Sequence, residues 1–183
     1  QQHRLSLYRD LLAQWRDAGL AYPCRCTRRE LHAASAPHPE DGHVRYDGRC
    51  RAGAADPARQ KREPAYRLRV PDEASAWDHF TDILQGEQRM NLDLEWGDFI
   101  LARADGQFAY QFVCAVDDAL SGVDYVLRGA DLLPSSFPQR YIHRLIGKEP
   151  PTYAHIPVLC DQGGIRLSKR QQATDLGALL DAG

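Results

Sequence analysis

Three cysteines and a tyrosine carry the first chemical signal. Cys24 and Cys26 stand one residue apart, Cys50 follows a polar stretch rich in Pro, Gly and His, and Tyr46 precedes Cys50 in the run Tyr46-Asp47-Gly48-Arg49-Cys50. Residues 21 to about 62 hold too few large apolar side chains to build a core. A tetrahedral ion bound by thiolates can supply the folding free energy that such a loop-rich module lacks. Zinc is the ion this donor set points to, with Cys24, Cys26 and Cys50 as three ligands. The fourth is open between His43 and Tyr46: a neutral imidazole binds zinc readily, whereas a phenol of pKa about 10 must first be ionised by the metal. With four protein ligands no position is left for a reacting water, so the expected role is structural.

A second signal runs from Gly106 to Leu133. It reads as a turn at Asp105-Gly106, an apolar segment from Phe108 to Val116, the pair Asp117-Asp118, a break at Gly122, and a β-branched strand from Val123 to Leu127 ending at Arg128-Gly129. An arginine at the carboxyl end of a buried strand, followed by a glycine that lets the backbone turn, suits an anionic ligand on an open α/β sheet. Tyr110 and Arg128 are expected to converge on one carboxylate, the guanidinium as a bidentate fork and the phenol through a hydrogen bond. The blander alternatives are an ion pair of Arg128 with Asp131 and a core aromatic at Tyr110. Asp117 and Asp118 point in different directions, so one is expected to cap or be solvated and the other to bond locally. His79, His143 and His155 share no ligand spacing and read as packing or surface residues, and Cys114 and Cys160 as buried small hydrophobes.

The elements that must position these groups follow from periodicity. From about His3 to Ala18, Leu5, Tyr8, Leu11, Leu12 and Trp15 recur at helical steps, and Gly19 stops the helix. Gly53 to Pro64 is a polar connector. Ala65 to Val70 alternates as a half-exposed strand, and Trp77–Asp82 and Phe99–Leu101 are further short strands. Ser136 and Gln139 have capping-box spacing at the start of a helix whose apolar face is Tyr141, Ile142, Leu145 and Ile146. Tyr153 to Leu159 is a strand leading to a Gly163-Gly164 turn and the loop Arg166-Leu167-Ser168-Lys169-Arg170, and Asp175 to Leu180 opens another helix.

Composition sets bounds. The 183 residues carry 23 Lys and Arg against 25 Asp and Glu, a net charge of -2, so any nucleic-acid contact must come from a local patch such as Arg25, Arg28 and Arg29 or Arg45, Arg49 and Arg51. No apolar run approaches the roughly 20 residues needed to cross a bilayer. Five cysteines, an odd count, suit metal binding in a reducing compartment better than a disulfide framework, so the cytoplasm is expected. The first residue is Gln1, and with no opening strand the sequence reads as an internal piece of a longer protein.

Phe108-Ala109-Tyr110-Gln111, Val116-Asp117-Asp118, Arg128-Gly129-Ala130-Asp131-Leu132-Leu133 and the later Arg166-Leu167-Ser168-Lys169-Arg170 resemble, in order and spacing, the glutamate branch of the class I aminoacyl-tRNA synthetases. The resemblance is strongest to its truncated paralogs, the glutamyl-queuosine tRNA(Asp) synthetases, in which Cys-x-Cys is followed by Tyr-x-x-x-Cys with the tyrosine as ligand. It therefore implies Tyr46 as the fourth zinc ligand. It also implies an α/β fold, part of a Rossmann-like catalytic domain with a zinc-binding module and a small β-rich insertion. The implied units are residues 1–20 as a helix of the catalytic domain, 21–62 as the zinc module, 63–104 as the insertion, and 105–183 as the second Rossmann half.

By the same resemblance, ATP with Mg2+ activates L-glutamate to glutamyl-adenylate, and the glutamyl group passes to queuosine of tRNA(Asp). Tyr110 and Arg128 would bind glutamate. Lys169, beside Ser168, would neutralise charge at the α-phosphate; without the family match that loop is merely a surface loop. A monomer without a membrane is implied. The His-Ile-Gly-His-like signature of the relatives' first half is not among these residues, so this stretch alone is expected to be inactive. Two alternatives stand: a conventional glutamyl-tRNA synthetase charging tRNA(Glu), and a non-catalytic zinc-stabilised RNA-binding module.

Overall fold

The computed structural model of the chain describes residues 4–27, 29–31, 45–53 and 61–159. Helix α1 (Leu5–Asp17) forms where the apolar spacing predicts it and buries Tyr8, Leu12 and Trp15. Gly19 ends it at φ 71°. The buried stripe meets helix α2 (Tyr110–Ser121), where Tyr8 and Trp15 pack edge-on against Phe112 with ring centroids 5.9 and 5.5 Å away. Asp117 neither caps nor stands solvated, as one of the pair was expected to: it accepts from the Tyr8 hydroxyl at 2.5 Å and pairs with Arg4 at 3.1 Å. Its neighbour Asp118 does bond locally, accepting from the Cys114 thiol.

Strands β1 (Ala21–Cys24), β2 (Ala65–Leu68) and β5 (Phe99–Ala102) make one antiparallel sheet in the order β1-β2-β5. The strand that ends at Cys24 therefore pairs directly with the strand after the connector, Cys24 opposite Ala65. β2 is central, so both Arg67 and Leu68 are buried, and the half-exposed alternation expected from Ala65 to Val70 is not observed. β3 (Trp77–Asp82) and β4 (Gly86–Asn91) form a hairpin. Period-two alternation turns Asp78, Phe80 and Asp82 inward along β3. A π-helical turn, Leu92–Trp96, follows, with the Asn91 side chain accepting from the amides of Asp93 and Leu94. Gly97 ends it at φ 69°.

After α2, Gly122 takes the left-handed conformation that stops the helix. The chain then makes a parallel βαβ unit: β6 (Tyr125–Gly129), α3 (Ser136–Leu145) and β7 (Thr152–Ile156). The parallel register sets Arg128 opposite His155. The hairpin joins this unit where the Ile83 amide donates to the Tyr153 carbonyl at 2.9 Å. Buried Asp78 pins α3 to the hairpin through Arg140 at 2.9 Å and Arg144 at 2.5 Å. No side chain caps the start of α3, so the capping box expected from Ser136 and Gln139 is not made. Among the described residues, no helix is long and apolar enough to cross a membrane.

Candidate functional site

The thiol cluster sits at the open end of β1. Cys24 is the strand's last residue, and Cys50 lies in a tight turn that Gly48 enables at φ 76°. The three sulfurs lie within 4.8 Å of one another, Cys26 and Cys50 at 3.5 Å. Tyr46 completes the group: its hydroxyl is 3.5 Å from the Cys24 sulfur and 3.9 Å from that of Cys26. A tetrahedral ion with metal–sulfur bonds of about 2.3 Å and metal–oxygen bonds of about 2.0 Å needs S–S edges of about 3.8 Å and S–O edges of about 3.5 Å. The four donors fit such an ion, and the three cysteines form a group able to hold a metal.

The surroundings favour ionisation at Cys24 and oppose it at Cys26 and Tyr46. The Cys50 amide donates to the Tyr46 oxygen at 3.0 Å. Buried Arg67 lies over the Tyr46 ring at 3.8 Å. Burial opposes ionisation of Cys24, yet the Tyr46 hydroxyl and the Arg67 charge outweigh it and hold that thiol below its ordinary range. Burial and then Cys24 push the Cys26 thiol up to about 12, and burial with the neighbouring thiols raises Tyr46. Metal binding here must therefore expel protons. Asp98, 1% exposed, staples the module to the sheet by accepting from Tyr22, from Arg51 Nε at 2.7 Å and from the Val70 amide at 2.9 Å. Gly97 touches the Tyr46 backbone so closely that a Cβ would lie 2.5 Å from its carbonyl oxygen.

The second group surrounds Arg128. Its Nε donates to His155 Nε2 at 3.0 Å, NH1 to Gln139 Oε1 at 2.8 Å, and NH2 to Ser136 Oγ at 2.8 Å and the Leu132 carbonyl at 3.3 Å. The guanidinium also faces the Tyr153 ring at 5.3 Å. Four of its five N–H groups are thus engaged by protein acceptors. The bidentate fork expected from the sequence is not open in this arrangement, because no adjacent pair of donors is left.

Tyr110, at the first turn of α2 and 55% exposed, is brought to the same place. Burial and Cys114 raise its phenol, while Arg128 acts on it in the opposite sense. His155, read from sequence as packing, is instead a buried link: Nδ1 lies 2.6 Å from Asp82, and Nε2 meets Arg128. No sequence signal singles it out, because its register with Arg128 exists only once β6 and β7 pair. His43, Ser168 and Lys169 lie outside the described residues.

The profile of the class I tRNA synthetases (E and Q), catalytic domain, matches residues 1–178. The chain belongs to that family. Similar curated proteins include the Glutamyl-Q tRNA(Asp) synthetase of Geobacter sulfurreducens, 44% identical over 97% of this chain and 55% of that protein. Those of Burkholderia cenocepacia (strain HI2424) and Cupriavidus metallidurans are 46% and 44% identical over 96% and 100% of this chain, and over 58% of each relative. The chain therefore spans little more than half the length of these synthetase relatives. Among solved structures, a glutamate tRNA ligase from Elizabethkingia meningosepticum in complex with its amino acid superposes at a TM-score of 0.71. It shares 24% identity over 92% of this chain and 36% of that one, and the likeness shows the fold. The α/β class I catalytic architecture expected from the motifs is the one found.

Proposed function

We propose that this domain belongs to an enzyme that activates glutamate with ATP and Mg2+ and transfers the glutamyl group to queuosine of tRNA(Asp). The observation that carries the reading is the Tyr46 hydroxyl among the three thiols: Cys-x-Cys with Tyr-x-x-x-Cys is the signature that resembles the queuosine-modifying branch. Relatives at 43 to 46% identity bearing that name support it. Zinc, held by Cys24, Cys26, Tyr46 and Cys50, serves as a structural ion. Loss of zinc on Tyr46→Phe, with retention on His43→Ala, is expected by metal analysis; the reverse result would assign the fourth position to His43.

In the first step a glutamate carboxylate attacks the α-phosphorus of ATP and pyrophosphate departs. Arg128 and Tyr110 hold and orient the amino acid. Charge building on the phosphate oxygens and on pyrophosphate needs a cation on the loop after β7, and Lys169 has that place in the sequence. A queuosine hydroxyl then takes the acyl group and releases AMP. The protein works as a cytoplasmic monomer on this reading. Glutamate-dependent ATP–pyrophosphate exchange by the intact protein, without tRNA, is the test. Exchange without tRNA is expected; exchange that appears only on adding tRNA(Glu) would identify a conventional charging enzyme instead.

A further inference from the structure

An arginine that recognises a carboxylate has to be held still, because its long side chain otherwise loses rotamer freedom at the moment of binding. Here the holding is done by His155, opposite Arg128 on the paired strand β7. A guanidinium has no acceptor, so in the 3.0 Å contact between Arg128 Nε and His155 Nε2 the imidazole must accept. The proton of His155 is therefore on Nδ1, and it points at Asp82 2.6 Å away. Asp82 is itself fixed, accepting from the amides of Leu84 at 3.0 Å, Gln85 at 2.9 Å and His155 at 3.1 Å. Asp82 and His155 are 1% and 0% exposed, so no solvent competes for these bonds. The relay runs from the β3–β4 turn through β7 to β6, across 73 residues of sequence.

We propose that Asp82 and His155 are positioning residues: they lock the Nε edge of Arg128, while Ser136 and Gln139 lock NH2 and NH1, so that the guanidinium is held in one orientation beside Tyr110 for the glutamate carboxylate. The inference rests on the glutamate-binding reading above. It assigns to the relay a specific effect, on glutamate affinity and not on ATP. His155→Phe keeps the ring and removes both nitrogens. His155→Gln restores an acceptor within reach of Arg128.

The experiment measures KM for glutamate and for ATP in pyrophosphate exchange by the intact protein, together with 15N spectra of the imidazole and of Arg128 Nε–H. His155→Phe is expected to raise the glutamate KM about tenfold with the ATP KM unchanged, and His155→Gln to recover most of the loss. The wild-type spectrum should show a protonated Nδ1, a bare Nε2 and a slowly exchanging Arg128 Nε–H that vanishes in His155→Phe. Equal rises in both KM values, or an unchanged Arg128 signal in a folded His155→Phe protein, would overturn the relay. If the wild type shows no glutamate-dependent exchange at all, the proposed function falls, and the two spectra alone then decide whether His155 fixes Arg128.

Discussion

The thiol cluster and the Arg128 cradle solve opposite problems. The first gathers its donors from a segment with almost no core, and its sulfurs and phenol form a concentration of negative charge once ionised, so it needs an ion to be stable. The second gathers acceptors around a positive charge from strand β7, helix α3 and the turn after β6, and these acceptors engage it without any ligand. One site is close in sequence and unfinished without its ion; the other is dispersed in sequence and nearly complete. On the proposed function an ion would supply stability at the first, and glutamate only recognition at the second.

Removing the ion should break this contrast most severely. Chelation or Cys50→Ser is expected to abolish metal retention and amide-exchange protection over residues 21–26 and 45–53, a loss that in zinc-dependent modules reaches roughly 10 kcal/mol. Protection across β6 and β7 should persist; if it collapses as well, the two regions are one cooperative unit. Next in size is Asp78→Asn, which leaves Arg140 and Arg144 without their buried partner and should cost about 3 kcal/mol at pH 7 by urea unfolding. Burial alone would raise the Asp78 carboxyl, but the two arginines overcome it and hold the group below the usual range. Its contribution is therefore complete above the unfolded value of about 3.9 and disappears as pH falls through the lower folded value, so the wild type and the variant should converge in acid. The smallest effect is sought in the cradle: Ser136→Ala removes one acceptor from Arg128, worth about 1 kcal/mol, or roughly a fivefold rise in the glutamate KM.

How legible each region was follows from the same contrast. Cys24, Cys26 and Cys50 are legible because metal donors cluster in short motifs, whereas Tyr46 comes only from the family pattern, since by donor chemistry His43 is the readier ligand; the structure sets the Tyr46 hydroxyl 3.5 Å from the Cys24 sulfur. Arg128 and Tyr110 could be picked from the strand-end glycine and the family motifs. Their supports could not, since Asp82 and His155 meet only through the packing of a hairpin on a parallel pair. Ser136 and Gln139 are the instructive case. Their spacing is that of a capping box, and the helix does begin there, yet both side chains turn to Arg128, because a half-buried guanidinium is a stronger claim on an acceptor than a backbone amide at a helix end. The pair Asp117 and Asp118 was legible by half for a related reason: Asp118 does bond locally, but Asp117 looks like a cap or a solvated carboxylate until the helix it packs against is known.

That carboxylate also has a bearing on the order of events during synthesis. Tyr8 finds its acceptor 109 residues further along, and Phe112 lies in the same late helix. At ribosomal rates of about 5–20 residues per second, roughly 5–20 s separate the two in translation. Throughout that interval Tyr8 and Trp15 lack the Phe112 ring they finally pack against, so α1 cannot settle on the domain until α2 has been made, and Arg4 and Tyr8 close on Asp117 only then.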